Sequence, residues 1–254
     1  MKLCVILIGI RYDPNSKSHL KGCHNDIKNI YNFINKSNTD IDYYILADSM
    51  IPICGNEPNI HPSKQNILNI FEEVRGKYNN YFIHYSGHGT QIKCLGEEES
   101  DDGLDEVICP YDYQTKGIIS DDILNREFLQ HLTKDCCVRI LMDCCRSGTV
   151  WDLSYTYNYE RNSGQTNVFS PILDCDVIVL SGCKDNEYSY DVVAGNEPQG
   201  AFTYCALQSL GNTDRSSIFE LCKKINEKLK SRKWNQTCVI SSSHLLTDRH
   251  KFDF

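Results

Sequence analysis

The character of the apolar runs limits the fold more than any other feature of this sequence. Runs near residues 2–9, 42–47, 80–85, 138–142, 175–181 and 236–241 are short and rich in β-branched or aromatic residues. Amphipathic stretches of helical period fit near 20–36, 63–78, 121–133, 200–210 and 215–231. A strand with one wet face alternates apolar and polar residues, whereas a strand that is apolar throughout must be covered on both faces. Such strands separated by helices predict an α/β fold with a mainly parallel central sheet and helices on both sides. The 254 residues, 41% hydrophobic and 24% charged, supply enough material for that core.

Two segments fit neither pattern. One is acidic, "GEEESDDGLDEVICPYD" (96–112); the other, 151–171, is polar and rich in Tyr, Asn and Ser. No internal repeat and no long linker divides the chain. A single domain over 1–254 is therefore expected, with 151–171 as a loop connecting a larger part, 1–150, to a smaller one, 172–254. The net charge of −8 argues against nucleic-acid or anionic-membrane binding, which draws on clustered Lys and Arg. No apolar stretch is long enough to span a membrane. The start, "MKLCVILIGIRYDP", has a short apolar run followed by Arg11, Asp13 and Pro14 with no small-residue cleavage site, so it reads as a buried first strand rather than a signal peptide. Fourteen cysteines without a CxxC pair, several of them inside apolar runs (Cys4, Cys109, Cys137, Cys175, Cys205), fit a reduced, cytoplasmic protein better than a zinc or disulfide scaffold. The sequons at Asn35 and Asn235 then carry no expectation of glycan.

Two of the apolar runs end in the same abrupt way. "YFIHYSGHGT" (81–90) delivers His88 between glycines, and "ILMDCCRSGT" (140–149) delivers Cys144 and Cys145. Ligands of open parallel sheets sit beyond the carboxyl ends of the strands. If the two strands are neighbours, His88 and Cys145 project into one crevice. A thiolate is a strong nucleophile, and an adjacent imidazole takes its proton and later protonates a leaving amine. The glycines at 87, 89 and 148 permit close backbone approach, and the amides of Gly89 and Cys145 are candidate oxyanion donors. A structural cysteine and a turn histidine are the bland alternative. Cys144 competes as nucleophile, but successive strand residues face opposite sides, so the two cysteines are expected to point apart.

At these residues the chain resembles the metacaspases, relatives of caspases in the caspase–hemoglobinase fold. "HYSGHGTQ" and "DCCRSGT" carry the resemblance, and the caspase signature likewise pairs a cysteine with an upstream histidine. "LIGIRY", "LKGCHND", "DDGLDEVICPYDY", "GIISDDIL", "VIVLSGCKDNEYSYD" and "GAFTYCALQSL" match in order. Arg146 departs from the family, which usually has His there. The spacing resembles the type I arrangement, here without the Pro-rich prodomain.

The resemblance implies a caspase-like α/β sandwich and a monomeric, calcium-dependent cysteine endopeptidase. Its substrates would be proteins or peptides with Arg or Lys before the scissile bond. Cys23, Asp26, Ser86 and Asp143 match the family's specificity pocket. Two carboxylates facing one pocket repel unless a cation lies between them, and a guanidinium supplies both charge and a donor fork. Asp105, Asp121, Asp122 and Asp152 match the family's calcium ligands, and hard oxygen donors suit Ca²⁺. Glu97, Glu98, Glu99, Asp101 and Asp102 read as solvated surface. Arg161, in "NYERNSG", is a candidate self-cleavage site in competition with Lys116. The rival readings are a catalytically weak homologue acting as a scaffold, which Arg146 favours, and an aspartate-specific enzyme, which Asp26 and Asp143 argue against.

Overall fold

A computed structural model describes residues 2–36, 40–51, 59–93, 104–145, 151–158, 163–167, 170–182, 191–194, 196–211 and 216–253. The chain begins with β1 (Leu3–Gly9), α1 (Cys23–Ile34), β2 (Ile41–Ala47), α2 (Lys64–Val74) and β3 (Asn80–Ser86). There follow β4 (Gly89–Lys93), β5 (Leu104–Ile108), a one-turn α3 (Tyr113–Lys116), β6 (Ile119–Ser120), α4 (Asp121–Glu127) and β7 (Cys137–Asp143). The last part holds β8 (Tyr155–Asn158), β9 (Ser163–Thr166), β10 (Asp176–Ser181), β11 (Asp191–Ala194) and β12 (Glu197–Gly200). It closes with α5 (Ala201–Leu210), α6 (Ile218–Ser231) and β13 (Val239–Ser242).

Eight strands form one sheet in the order β2-β1-β3-β7-β10-β13-β8-β9. The five from β2 to β10 are mutually parallel, while β13, β8 and β9 add antiparallel pairs at the far edge. The two-residue period of the central strands sorts their side chains into two layers. Cys4, Ile6 and Ile8 of β1, with Val138, Ile140 and Met142 of β7, pack under α2 and α4. Leu3, Val5 and Leu7, with Leu141, pack under α1, α5 and α6. The expected α/β sandwich, helices on both faces of a mainly parallel sheet, is thus the observed one. The helix starts are set by their first residues: Ser63, Ser120 and Ser217 cap α2, α4 and α6 by accepting from the amide three residues on.

Two expectations need correction. Segment 151–171 is not simply a connecting loop, because β8 and β9 lie within it and extend the main sheet. Its Tyr and Thr residues favour strand, and Tyr157 is buried against Phe219 while its hydroxyl oxygen accepts from the Leu246 amide at 2.6 Å. The acidic segment is likewise part strand, since β5 pairs with β4 and β6 in a small antiparallel sheet. Glu97, Glu98, Glu99, Asp101, Asp102, Arg146 and Arg161 lie outside the described residues.

Candidate active site

The register of β3 and β7 brings the two strand ends together. Ser86 pairs with Asp143, and His88 and Cys145 each follow two residues later. Gly89 closes the gap from the other side. A Cβ there would lie 2.6 Å from the Cys145 carbonyl oxygen and 3.1 Å from the Cys144 sulfur, so only glycine lets β4 leave the site at this angle. Cys144 is fully buried in the same layer as Ile140 and Met142, whereas Cys145 is partly exposed. The alternation expected at this strand end holds. Near the nucleophile position, burial together with the charge of Cys145 pushes the Cys109 thiol up to about 11, leaving it protonated at neutral pH.

The imidazole of His88 has a defined orientation. Its Nε2 lies 2.7 Å from the carbonyl oxygen of Ser18. A carbonyl only accepts, so Nε2 carries the proton in the neutral ring and Nδ1 holds the lone pair. Ser18 belongs to the loop after β1. That loop is pinned by the Arg11 amide on the Asp48 carboxylate at 3.1 Å and by the Leu20 amide on the Arg11 carbonyl at 2.9 Å.

Of the four residues expected to form a pocket, Asp26, Ser86 and Asp143 come together. Asp26, on the first turn of α1, accepts from the Ser86 hydroxyl at 2.7 Å and from the Gly200 amide at 2.9 Å. Asp143, at the end of β7, accepts from the Thr203 amide at 2.9 Å and its hydroxyl at 2.7 Å. Both carboxylates face Gly200: a Cβ there would collide with the Asp143 carboxylate and lie 2.9 Å from that of Asp26. Cys23 opens α1, and all four are buried. Each carboxylate also has hydrogen-bond donors from the β12–α5 junction. Sequence reasoning missed Gly200 and Thr203. The stretch "GAFTYCALQSL" contains both, but nothing in it marks which residues fold back onto α1.

Thr203 also links a buried histidine to the pocket. His84 Nε2 lies 3.1 Å from the Thr203 hydroxyl, which itself donates to Asp143. The hydroxyl proton is therefore committed, and His84 donates from Nε2. Its Nδ1 has no hydrogen-bond partner among the described residues. Full burial pushes this imidazole down to about 3, so it is neutral.

A second cluster lies at the start of α4. Asp121 and Asp122, in the first turn of α4, and Asp152 each place a carboxylate oxygen within 4.8 Å of the others. Asp152 follows Trp151, and both have positive φ, 47° and 90°. Such φ values strain residues other than glycine. The turn is held by Asn125, which donates to the carbonyls of Trp151 and Asp152 at 2.7 and 3.3 Å, and by the Trp151 ring packed on Phe71 and Phe128. Burial and the charge of Asp152 push Asp121 up to about 10. Burial and Asp122 push Asp152 up to about 8, with smaller effects from Glu106 and Asp105. Asp105, the fourth expected ligand, is thus near enough to be felt by Asp152. Glu106, buried on β5, was missed; the strand alternation in "LDEVI" is the signal that could have placed it. The carboxylates of Asp121, Asp122 and Asp152 are hard oxygen donors within reach of one another, a donor set that fits a calcium ion.

A parallel α/β sandwich with a histidine and a cysteine at adjacent carboxyl strand ends defines the caspase–hemoglobinase class of fold. The profile of the metacaspase, peptidase C14 domain matches residues 5–154. The Metacaspase-1 proteins of Debaryomyces hansenii and Meyerozyma guilliermondii are each 31% identical to 94% of this chain, which covers 64% and 69% of their lengths. Metacaspase-1 of Plasmodium falciparum is 32% identical over 98% of the chain and 41% of its own length. The chain thus spans about two thirds, or less, of these relatives. A crystal structure of a protein from Geobacter sulfurreducens shares the fold, with a TM-score of 0.67, 18% identity and coverage of 97% of this chain and 95% of its own. The chain belongs to the metacaspase family.

Proposed function

We propose that this chain is a cysteine endopeptidase cutting after Arg or Lys, with Cys145 as nucleophile, His88 as general base and acid, and calcium as activator. The observation that carries the reading is the pairing of Ser86 with Asp143, which leaves His88 and Cys145 each two residues beyond registered, neighbouring strand ends. Nδ1 of His88 accepts the Cys145 thiol proton while Nε2 stays on Ser18. The thiolate attacks the scissile carbonyl carbon, and the amides of Gly89 and Cys145 donate to the oxyanion. The tetrahedral intermediate collapses to a thioester as His88 protonates the leaving amine. Water, deprotonated by His88, then hydrolyses the thioester and the thiol is restored.

Specificity in this reading comes from Asp26 and Asp143, which converge on Gly200 and offer a guanidinium or ammonium two carboxylates. Asp105, Asp121, Asp122 and Asp152 would hold calcium, which supplies charge compensation to the segments that carry them. The absence of a 12-residue binding loop favours weak affinity, on the order of 10⁻⁴–10⁻³ M. No described helix is long and apolar enough to cross a membrane, and the cytoplasmic setting in this reading rests on the cysteine usage of the sequence. We read the chain as one catalytic domain acting as a monomer.

Fluorogenic peptides with Arg, Lys or Asp before the scissile bond, each with and without calcium, test this reading. Arg and Lys substrates should turn over and the Asp substrate should not. In a folded Asp143→Ala protein, kcat/KM for the Arg peptide should fall about 30-fold or more, the effect of leaving one buried charge unpaired. Cleavage of the Asp peptide, or unchanged Arg kinetics in that variant, would contradict the pocket.

A further inference from the structure

Tyr12 follows β1 closely and carries none of the roles assigned above. Its φ is 61°, in the left-handed region that bulky residues rarely adopt. Its ring is buried, 4% exposed. The hydroxyl donates to the Cys109 carbonyl at 2.7 Å and accepts from the His88 amide at 2.9 Å. The ring lies against the His88 imidazole with centroids 4.7 Å apart and planes at 31°. A second tyrosine completes the hold, since the Tyr85 hydroxyl donates to the His88 carbonyl at 2.8 Å. His88 is therefore gripped at both backbone polar groups, at one ring face and at Nε2. Burial pushes the Tyr12 phenol well above its ordinary value, so it stays a neutral donor.

We propose that Tyr12 is a positioning residue for His88: its ring fixes the tilt of the imidazole and its hydroxyl ties the His88 amide to Cys109, which aims Nδ1 at the nucleophile. This role rests on the reading of His88 as the catalytic base. The left-handed backbone at Tyr12 serves the same end. An extended Tyr12 would swing the ring off the imidazole, so the strain persists because three contacts oppose its release.

The test compares Tyr12→Phe, Tyr12→Leu and Tyr12→Asn with His88→Ala, all in the full chain with calcium and an Arg peptide. Tyr12→Phe keeps the ring and loses the hydroxyl; kcat should fall about tenfold, the effect of modest misalignment. Tyr12→Leu loses both, and kcat should fall about 100-fold, with KM within about twofold of wild type in each case. Asn tolerates left-handed φ, so Tyr12→Asn should be more stable than Tyr12→Leu in thermal melts yet no more active. A merely structural role would instead make kcat follow melting temperature across the three variants, and that result would overturn the proposal. Wild-type kcat in Tyr12→Phe and Tyr12→Leu beside an inactive His88→Ala would overturn it alone. An active His88→Ala would remove the dyad itself, and this role with it. If Tyr12→Leu fails to fold, Tyr12→Phe decides by the same split between kcat and KM.

Discussion

Gly200 has no room for a side chain. A Cβ would strike the Asp143 carboxylate and crowd that of Asp26, so Gly200→Ala must push the β12–α5 junction off the pocket. The variant should lose about 1–3 kcal/mol of stability, as overpacked sites do, and lose Arg-peptide kcat/KM more than a Cys144→Ala control; equal activity to that control would count against the pocket geometry. His84 sits in the same network and sets a pH dependence. Its folded value, about 3, lies below the unfolded 6.5, so its contribution to stability is complete above pH 6.5 and is lost as pH falls towards 3. The slope is at most about 1.4 kcal/mol per pH unit. His84→Gln should flatten the acid side of the stability profile, measured by denaturant melts between pH 6.5 and 4; an unchanged profile would show that His84 does not titrate on unfolding as described. At this scale the sequence was legible where a local rule applied. Strand alternation separated Cys144 from Cys145, but no local rule links Gly200 to Asp26, which α1 and the β12–α5 junction bring together from distant parts of the chain.

The elements that hold the acidic cluster were the least legible. Charge in 96–112 obscured β5, and the polar alternation around Tyr155–Tyr157 obscured β8, because both strands make only antiparallel pairs, which do not need continuous apolar runs. The cluster's energetics follow from the first turn of α4 and the strained Trp151–Asp152 turn. Asp121 and Asp152 have folded values raised above the ordinary 3.8. The stability they confer is greatest below pH 3.8 and is lost as pH rises through about 8 and 10. At neutral pH without calcium they therefore oppose folding. Calcium should raise the melting temperature, and metal-free Asp121→Asn should melt higher than metal-free wild type by about 2–4 °C for each kcal/mol of repulsion relieved. The variant should also lose most of the calcium response. A wild-type melt indifferent to millimolar calcium, with full activity in excess chelator, would remove the cation from the account.

Over the whole molecule, the five parallel strands were readable because each is apolar throughout and the intervening helices are amphipathic. That frame alone puts β3 beside β7 and makes the placing of His88 and Cys145 just beyond neighbouring strand ends a consequence of register. Of the antiparallel strands at the far edge, β13 was readable in the run near 236–241, whereas β8 and β9 were not, because they are four residues each and largely polar. The sheet draws on both 1–150 and 172–254, so the two parts share one core. The most direct test of the central claim is covalent labelling with an Arg-bearing peptidyl chloromethyl ketone in calcium, read by peptide-mapping mass spectrometry. The account predicts alkylation of Cys145, its loss in Cys145→Ala and His88→Ala, its persistence in Cys144→Ala, and little labelling when Asp replaces Arg in the probe. Alkylation of Cys144, labelling that survives in His88→Ala, or no labelling of the folded wild type would contradict it.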